Sequence, residues 1–394
     1  MASTLSQISA VSVMNIKGIG HRFWPSLATV LGIAVVVAVM LAFLSMAEGF
    51  DRTVAGSGSN DVALILRAGS QAEINSTLSR EEIRILVEAP GIARRNGQPL
   101  ASSELYVVVD GIKRSTGLAV NLPFRGMDRA GIALRHETEI IAGRMFEPGR
   151  NEIVVGRQAL AEFSGLELGS TVAFGKTRWK VVGIFAARGS VFESELWGDA
   201  QIIQSLFNRR LFQVLRVKLA TPGDVSAIRS FIEADPRLNL AIETEADYFA
   251  GQSEQISKVI RVLGYPLAIA MALGALAGAL NTMYTSVAAR TREIATLRAI
   301  GFGVLATFVG TQIESLVLAL VGGLLGCLAA YLLFNQLTAA TLGQSFTQVV
   351  FSLHISRSLI WQGLALAVAV GLVGGLFPAL RAVRQPLTAA FFDS

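Results

Sequence analysis

Cysteine and histidine are scarce in this chain of 394 residues, which has one cysteine, Cys327, and three histidines, His21, His136 and His354. A lone cysteine cannot form a disulfide within the chain, so cysteine usage does not indicate a redox compartment. The histidines lie in three separate regions, without an HExxH, a Cys/His cluster or a GxSxG segment. We therefore predict no metal site and no catalytic residues in this chain.

Charge is scarce outside residues 48–258. That block holds 26 acidic and 25 basic residues, whereas the rest of the chain has nine Lys/Arg and three Asp/Glu. Because the polar block is charge-balanced, it lacks the concentrated basic surface of a nucleic-acid-binding protein. With 52% apolar residues overall, the charge-poor remainder predicts contact with membrane lipids and no nucleic-acid partner.

Four apolar runs are long enough to cross about 30 Å of hydrocarbon. The first contains Ser45-Met46-Ala47, which has the small residues of a signal-peptide cleavage site. This run is longer than a signal core of about 7–15 residues, and a leader of 22 residues precedes it, so we predict an uncleaved anchor. The predicted transmembrane helices are TM1 (23–47), TM2 (259–289), TM3 (302–334) and TM4 (358–380).

Basic residues predict the orientation of the four spans. They precede TM1, separate TM2 from TM3 and follow TM4, whereas residues 335–356 contain no Lys or Arg. By the positive-inside rule both termini are cytoplasmic. The predicted segments are a cytoplasmic N-terminal segment (1–22), an ectodomain (48–258), a cytoplasmic coupling helix (290–301), an outer loop (335–357) and a cytoplasmic tail (381–394).

The ectodomain has the pattern of a mixed α/β fold. Strands are predicted at 61–67 and 105–110, the second turning at Asp110-Gly111. Ser79 followed by Glu82 predicts a capping box that opens a short helix through residue 87. A second helix is predicted over 224–233. Glu193 and Glu195 alternate with other residues and predict a solvated surface loop.

Residues 169–177 superficially resemble a phosphate-binding loop, since they contain Gly169, Gly175, Lys176 and Thr177. Five residues separate the two glycines, whereas a P-loop has four, and the residues after Thr177 are strand-like where a helix is required. We predict a hairpin turn at Gly175-Lys176 and no nucleotide site.

The segment 290–301 joins TM2 to TM3. If it is helical, its apolar residues Ile294, Leu297 and Ile300 recur on one face. Such a helix is suited to docking a soluble partner, but arginines that only anchor helix ends at the headgroups would give the same pattern. The residues alone leave both readings open.

Glu314 lies within TM3, where a bare charge costs a few kcal/mol. We prefer an interhelical hydrogen bond to a place on a substrate path. Glycine pairs spaced by four residues predict close helix packing, either within the bundle or between two subunits. They are Gly274 with Gly278, Gly322 with Gly326, and Gly371 with Gly375.

Three motifs of the membrane part resemble the FtsX/MacB-like permeases of ABC transporters, in the family's order. Residues 290–302 resemble the family's cytoplasmic coupling segment. Residues 312–315 followed by 322–326 are similar to its third span, acid included, and 374–381 with Pro386 resemble its closing signature. Residues 152–160, 165–171 and 180–184 resemble the MacB-type periplasmic core, and 192–197 resemble the DevC-like branch.

The resemblance implies a membrane protein with four transmembrane α-helices and a mixed α/β periplasmic ectodomain, in the bacterial inner membrane. It implies a homodimeric permease driven by a separate ABC ATPase subunit, which binds the ATP and magnesium, with a periplasmic adaptor and an outer-membrane duct as further partners. No cofactor is expected in this chain itself. MacB carries a fused N-terminal ATPase, and this chain has no room for one before TM1, so coupling in trans is expected. The residues expected to contact the ATPase are Arg290, Arg292, Glu293, Leu297, Arg298 and Ile300.

The function expected from this resemblance is the export or extraction of a hydrophobic or amphipathic substrate by movement of the ectodomains. The alternative is an FtsX-like signal transmitter that regulates a periplasmic hydrolase or sensor and transports nothing. An ectodomain of about 200 residues favours transport.

Overall fold

The computed structural model describes residues 4–135, 137–342 and 348–384, and it divides into two units. The membrane unit comprises Met1–Glu48, Val259–Leu337 and Leu353–Ser394, and the α/β unit comprises Gly49–Lys258 and Thr338–Ser352. His136 and Pro386, together with the predicted tail beyond residue 384, lie outside the described residues.

The helices of both units are numbered in chain order. Four helical stretches of the described residues are long and apolar enough to cross a membrane. They are Thr4–Ala55, Glu245–Ala289, Val304–Phe334 and Arg357–Arg384. The helices are α1 (Thr4–Gly18), α2 (Phe23–Ala55), α3 (Arg80–Leu86), α4 (Arg129–Ala133), α5 (Arg157–Glu162), α6 (Ala200–Leu206), α7 (Val225–Ala234), α8 (Glu245–Ala289), α9 (Thr291–Ala299), α10 (Val304–Phe334) and α11 (Arg357–Arg384).

Each predicted transmembrane run overlaps one of these long helices, with α10 starting two residues after the predicted start of TM3, and the predicted fold class of four membrane helices with an α/β ectodomain is confirmed. Two helices are longer than the runs that predicted them. α2 continues to Ala55 and α8 begins at Glu245, so both have residues in the membrane unit and in the α/β unit.

Glycines allow the helices of the membrane unit to approach closely. A Cβ atom on Gly326 would lie 2.6 Å from the carbonyl oxygen of Ala34 in α2, and one on Gly322 would lie 2.7 Å from that of Val30. A Cβ atom on Gly371 of α11 would lie 2.5 Å from the Cβ atom of Ala319. These distances are shorter than van der Waals contact, so a side chain at these positions would push the helices apart.

The other glycine pairs have different surroundings. Gly375 of α11 packs on Ser315 of α10. In contrast, a Cβ atom on Gly274 or Gly278 of α8 would meet no atom within 4 Å, and both glycines line an open groove of about 460 Å³ beside α2. The sequence predicts the same packing role for all three pairs, and among the described residues two of them have it.

The strands belong mainly to the α/β unit and follow in chain order. They are β1 (Val62–Arg67), β2 (Arg94–Arg95), β3 (Gln98–Pro99), β4 (Ala101–Ile112), β5 (Ala119–Met127), β6 (Glu139–Gly143), β7 (Glu152–Gly156), β8 (Thr171–Phe174), β9 (Thr177–Ala186), β10 (Leu196–Asp199), β11 (Val214–Lys218), β12 (Leu240–Thr244), β13 (Thr338–Leu342) and β14 (Gln348–Ser352).

One mixed sheet dominates the unit. Its strand order is β12-β1-β11-β4-β5-β10-β7-β9-β6, and β8 pairs with β9. β5 runs parallel to β10 and β7 runs parallel to β9, whereas the other pairs are antiparallel. β4 pairs with β11 through its first residues and with β5 from Leu105 onward, so it joins the two halves of the sheet.

Each half of the sheet has its own apolar core. Ala63 and Ile65 of β1 pack with Leu86 at the end of α3 and with Ile228 and Ile232 of α7. In the other half, Phe124 of β5 packs with Trp179 of β9. The two aromatic rings meet edge to face, with 5.0 Å between their centroids. Alternate strand residues supply both cores, which fixes the register of each strand.

Several local predictions are confirmed. Ser79 caps α3 with the full capping box, accepting from the Glu82 amide while the Glu82 side chain accepts from the Ser79 amide. The phosphate-loop lookalike is a hairpin, since β8 ends at Phe174 and β9 begins at Thr177. The predicted helix over 224–233 is α7.

Two local predictions differ from the structure. The turn predicted at Asp110-Gly111 is wrong, because β4 continues through both residues to Ile112 and pairs with β5 along its length. The chain turns later, where the Lys113 amide donates to the Leu118 carbonyl oxygen. The predicted outer loop 335–357 contains the paired strands β13 and β14, with Thr338–Ser352 belonging to the α/β unit.

Candidate functional site

The predicted coupling segment forms α9, which starts directly after α8. Arg290 separates the two helices, and Gly301 ends α9 with a φ of 100°, a left-handed conformation that suits glycine. The Phe302 amide donates to the Leu297 carbonyl oxygen, and this bond closes the turn. A nine-residue helix is thereby held between two membrane helices with a defined end on each side.

The apolar residues of α9 do not share one environment. Ile294 is buried against Val287 and Ala382, whereas Ile300 is 68% exposed and Leu297 is half-buried. Arg292 and Glu293 are exposed, and Arg298 is half-buried with its Nη1 donating to the Val383 carbonyl oxygen at 3.1 Å. The inward face of α9 thus attaches to α11, and its other face carries Arg292, Glu293 and Ile300.

Arg290 lies inside the membrane unit. Only 8% of it is exposed, and its Nη2 donates to Oε2 of Glu314 at 2.5 Å while its Nη1 donates to the Asn15 side-chain oxygen at 2.7 Å. Arg22 approaches the other carboxylate oxygen at 3.1 Å and also donates to the Ser286 hydroxyl. We call Asn15, Arg22, Arg290 and Glu314 the inner ion cluster.

The inner ion cluster ties four helices together. Asn15 belongs to α1, Arg22 directly precedes α2, Arg290 follows α8 and Glu314 lies in α10. Glu314 is 2% exposed, and a buried carboxylate is tolerated because two guanidiniums neutralise it. Removing Glu314 would leave Arg290 buried without a carboxylate, and breaking a buried pair in this way typically costs about 3–5 kcal/mol.

The N-terminal helix α1 also holds the end of α9. The Gln7 side-chain oxygen accepts from the Gly303 amide at 3.0 Å, and its nitrogen donates to the Gly301 carbonyl oxygen at 3.4 Å. Val11, one turn further on, packs against Gly310 of α10. Both ends of the coupling helix are therefore fastened to α1, by Asn15 at Arg290 and by Gln7 at Gly301 and Gly303.

Sequence reasoning did not identify Gln7, Asn15 or Arg22. One signal was present: Gln7, Val11 and Asn15 are spaced by four residues, so they lie on one face of a helix. Polar residues on a packed helix face must find hydrogen-bond partners. Their partners are far away in the chain, and the sequence does not name them.

The α/β unit contains a second buried ionic group, where β4, β5, β10 and β11 meet. Arg125 donates two parallel hydrogen bonds to Glu195, at 2.7 and 2.8 Å, and its Nη1 lies 2.5 Å from Glu73. Arg135 donates two parallel bonds of 2.7 Å to Glu104. We call this group the ectodomain ion cluster; its members are Glu73, Glu104, Arg125, Arg135, Glu195, Arg216 and Glu245.

Burial and neighbouring charges shift the pKa values in this cluster. Burial by itself would raise the pKa of Glu104, but Arg135, Arg216 and Arg125 outweigh it and lower the pKa to about 2. Burial is the main cause that lowers the pKa of Arg216 to about 10. Arg216 pairs with Glu245, the first residue of α8. The cluster therefore attaches the start of this long helix to the sheet.

The prediction of a solvated loop at Glu193 and Glu195 is wrong. Glu193 is fully buried and Glu195 is 4% exposed. Glu193 accepts from the amides of Ala187 and Gly189 and from Arg157, while Glu195 accepts from Arg125 and from the Trp197 indole. The acids hold this segment in place because each one has partners elsewhere in the chain.

Neither ion cluster has the composition of a metal site or of an acid–base pair. No group of three or more His, Cys, Asp or Glu suited to a metal ion occurs in the described residues. In both clusters each carboxylate is neutralised by arginine, which suits attachment of one element to another and not proton transfer.

Comparison with known proteins assigns both parts of the chain. Residues 26–235 match the MacB-like periplasmic core domain, and residues 267–387 match the FtsX-like permease C-terminal domain. The macrolide export ATP-binding/permease protein MacB of Bdellovibrio bacteriovorus is 22% identical over 93% of this chain and 58% of its own length. An uncharacterised ABC transporter permease of Methanocaldococcus jannaschii is 23% identical over 92% of both chains.

A third relative is the pyoverdine export ATP-binding/permease protein PvdT of Pseudomonas entomophila, which is 24% identical over 92% of this chain and 56% of its own length. The chain thus spans somewhat more than half of the MacB and PvdT relatives. The predicted resemblance is confirmed, since the periplasmic-core model alone covers more than half of the chain. With its four membrane helices and α/β unit, the chain belongs to the FtsX/MacB-like permease family of ABC transporters.

Proposed function

We propose that this chain is the transmembrane, non-catalytic subunit of an ABC transporter whose ATP and magnesium are bound by a separate ATPase subunit. The observation that carries the proposal is the attachment of α9. Its ends are fixed through Arg290 and Gly303, while Arg292, Glu293 and Ile300 remain on its outward face. A helix fixed in this way can transmit a displacement caused by a docked partner to α8, α10 and α11.

The path from α9 to the α/β unit supports the same function. α8 is one continuous helix from Glu245 to Ala289, and α9 begins two residues after it ends. Glu245 at the far end pairs with Arg216 of the sheet. We propose that a displacement of α9 is passed along α8 toward Glu245, and that ATP hydrolysis drives the ectodomain in this way.

The cargo and orientation belong to the proposal as well. Relatives named for macrolide and pyoverdine export support export or extraction of an amphipathic substrate. The basic residues beside α9 and at the end of α11 support a cytoplasmic location for both termini and a periplasmic location for the α/β unit in a bacterial inner membrane. The MacB-like domain supports a periplasmic adaptor and an outer-membrane duct as further partners.

We also propose that two copies of the chain form the transport unit. The open groove of Gly274 and Gly278 supports this, because small residues on an unoccupied helix face allow another helix to approach. Gly278→Leu is expected to reduce the amount of cross-linked dimer in native membranes. Thr282→Leu, one turn along the same groove, tests whether this reduction is confined to Gly278.

Co-purification from native membranes tests the coupling proposal. The tagged chain is expected to retain an ABC ATPase, and Glu293→Ala combined with Ile300→Asp is expected to release it. Lys17→Ala, an exposed basic residue on α1, is the matched control and should retain it. If no ATPase is recovered with the unaltered chain in gentle detergent and in lipid, the proposal fails. Recovery of a cell-wall hydrolase with the ATPase, without adaptor, would replace transport by signal transmission.

A further inference from the structure

A basic depression lies on the α/β unit between α3, α6 and the segment that follows α6. Its volume is about 700 Å³. Three arginines line it, Arg80, Arg209 and Arg210, and the remaining lining side chains are amides and hydroxyls, among them Gln204 and Ser205. No carboxylate belongs to the lining among the described residues.

Local structure brings the three arginines together. α6 ends at Leu206, and Asn208 adopts a φ of 50°, which turns the chain back so that the Arg209 amide donates to the Gln204 carbonyl oxygen at 2.9 Å. Arg80, the first residue of α3, reaches the same place, since its Nη2 donates to the Gln204 side-chain oxygen at 3.2 Å.

Gln204 leaves a donor unused beside these cations. The residue is 7% exposed, and its side-chain nitrogen Nε2 is buried without a hydrogen-bond partner in the described part of the chain. The Gln204 side-chain oxygen already accepts from Arg80. The unused atom is Nε2, which can only donate, so only an acceptor can satisfy it. A buried donor without an acceptor is costly, typically about 1–3 kcal/mol, and a bound oxyanion would remove that cost.

The three arginines of the depression also form a local excess of positive charge. Arg80, Arg209 and Arg210 have no carboxylate partner in the part of the chain that the structure describes, and all three line one depression. Other exposed arginines that have no ion pair among the described residues, such as Arg84 and Arg178, do not line it. Three guanidiniums without a neutralising acid repel one another and concentrate anions in the depression.

We propose that this depression binds a multiply charged oxyanion of the phosphate type, carried by a small molecule. Guanidinium groups match the geometry of phosphate oxygens with two parallel hydrogen bonds, and Gln204 Nε2 supplies a further donor at the floor. The group comes either from a soluble phosphorylated compound or from the headgroup of a phosphorylated lipid. This binding does not depend on the proposed coupling to an ATPase.

Calorimetric titration of the full chain, in nanodiscs of phosphatidylcholine, tests the proposal. Sodium pyrophosphate is the soluble probe, and dihexanoyl phosphatidic acid is the lipid-derived probe, with dihexanoyl phosphatidylcholine as its blank. We expect saturable binding of at least one phosphate probe at constant ionic strength. Arg209→Gln combined with Arg210→Gln should weaken it by at least about tenfold, a loss of about 1.4 kcal/mol or more, and Gln204→Leu should also weaken it.

The matched control is Arg178→Gln, an exposed arginine of β9 that does not line the depression. Binding of pyrophosphate identifies a soluble ligand, and binding of phosphatidic acid alone identifies a lipid headgroup. If neither phosphate probe binds, or if Arg178→Gln weakens binding as much as the double change, the proposal is overturned. Binding of an acidic peptide without binding of either phosphate probe would overturn it as well.

Discussion

Arg290 and Glu314 form an ion pair of 2.5 Å inside the membrane unit, with Arg290 8% and Glu314 2% exposed. The pair joins the start of the coupling helix α9 to the middle of the membrane helix α10. The family resemblance implies that Arg290 contacts an ATPase, whereas the structure places its side chain against partners within the chain. The acid in the third span thus has a local structural role, and the ATPase contact remains a prediction for the outward residues of α9.

Glu314→Ala is expected to destabilise the membrane unit, because it leaves the buried Arg290 and the half-buried Arg22 without their shared carboxylate. The loss should be about 3–5 kcal/mol, seen as a lower midpoint of thermal unfolding in detergent. Glu314→Asp, which keeps the charge, should lose less than half as much. Equal midpoints for the Ala variant and the unaltered protein would show that the ion pair contributes nothing.

Gln7→Ala is expected to loosen the end of the coupling helix without unfolding the bundle. The Gly303 amide loses its acceptor, so its hydrogen exchange should accelerate in mass-spectrometric measurement of peptides covering 301–303. Ser9→Ala, at an exposed position two residues later on α1, is the control. Unchanged exchange in the Gln7→Ala variant would mean that α1 does not hold α9.

Glycine-to-alanine changes should separate packed glycines from open ones. Gly326→Ala places a methyl group 2.6 Å from the Ala34 carbonyl oxygen, so it should lower the thermal midpoint. In the monomeric, detergent-solubilised chain, Gly278→Ala meets no atom of the described residues within 4 Å and should be neutral or stabilising by up to about 1 kcal/mol, since alanine favours helix. A matching loss in both variants would contradict the assigned packing.

Acid should weaken the α/β unit through Glu104. Its pKa in the folded protein is about 2, below the ordinary 4.5, so ionised Glu104 stabilises the fold fully above about pH 4.5. This contribution is lost as the pH falls from about 4.5 to about 2. Glu104→Gln should be less stable at pH 7 and should lose less further stability on acidification.

Urea unfolding followed by tryptophan fluorescence measures this, because Trp179 and Trp197 are both fully buried in the unit. The control is Glu167→Gln, an exposed acid that pairs with Arg114, and it should leave both the stability at pH 7 and the acid dependence nearly unchanged. An acid dependence that is the same in the Glu104→Gln variant and the unaltered protein would assign the effect to other carboxylates.

The elements that depend on local chemistry were predictable from the sequence. Long charge-poor runs located the four membrane helices, the Ser79 and Glu82 pair located the start of α3, and Gly175 located a hairpin. Each of these signals acts within a few residues, through burial in lipid, capping or turn geometry. The family motifs added the identity of the ectodomain, which the local patterns gave only as mixed α/β.

The ion clusters were not predictable, for a physical reason. Arg125 meets Glu195 70 residues away, and Arg290 meets Asn15 275 residues away. Whether an acid is solvated or neutralised depends on which distant arginine the fold brings to it, and the prediction for Glu193 and Glu195 is wrong for this reason. The sequence pattern around Glu193 and Glu195 is the same whether these acids are solvated or neutralised by a distant arginine.

The contacts of α1 set the order in which the protein matures. Asn15 and Gln7 are synthesised among the first residues, yet their partners Arg290 and Gly303 follow 275 and 296 residues later. At cellular rates of about 5–20 residues per second, that interval is on the order of tens of seconds. During it, Asn15 and Gln7 lack the partners that they have in the finished structure. The coupling helix is therefore secured only after residues 49–258 of the α/β unit have been synthesised, and a chain truncated before Glu314 cannot complete the inner ion cluster.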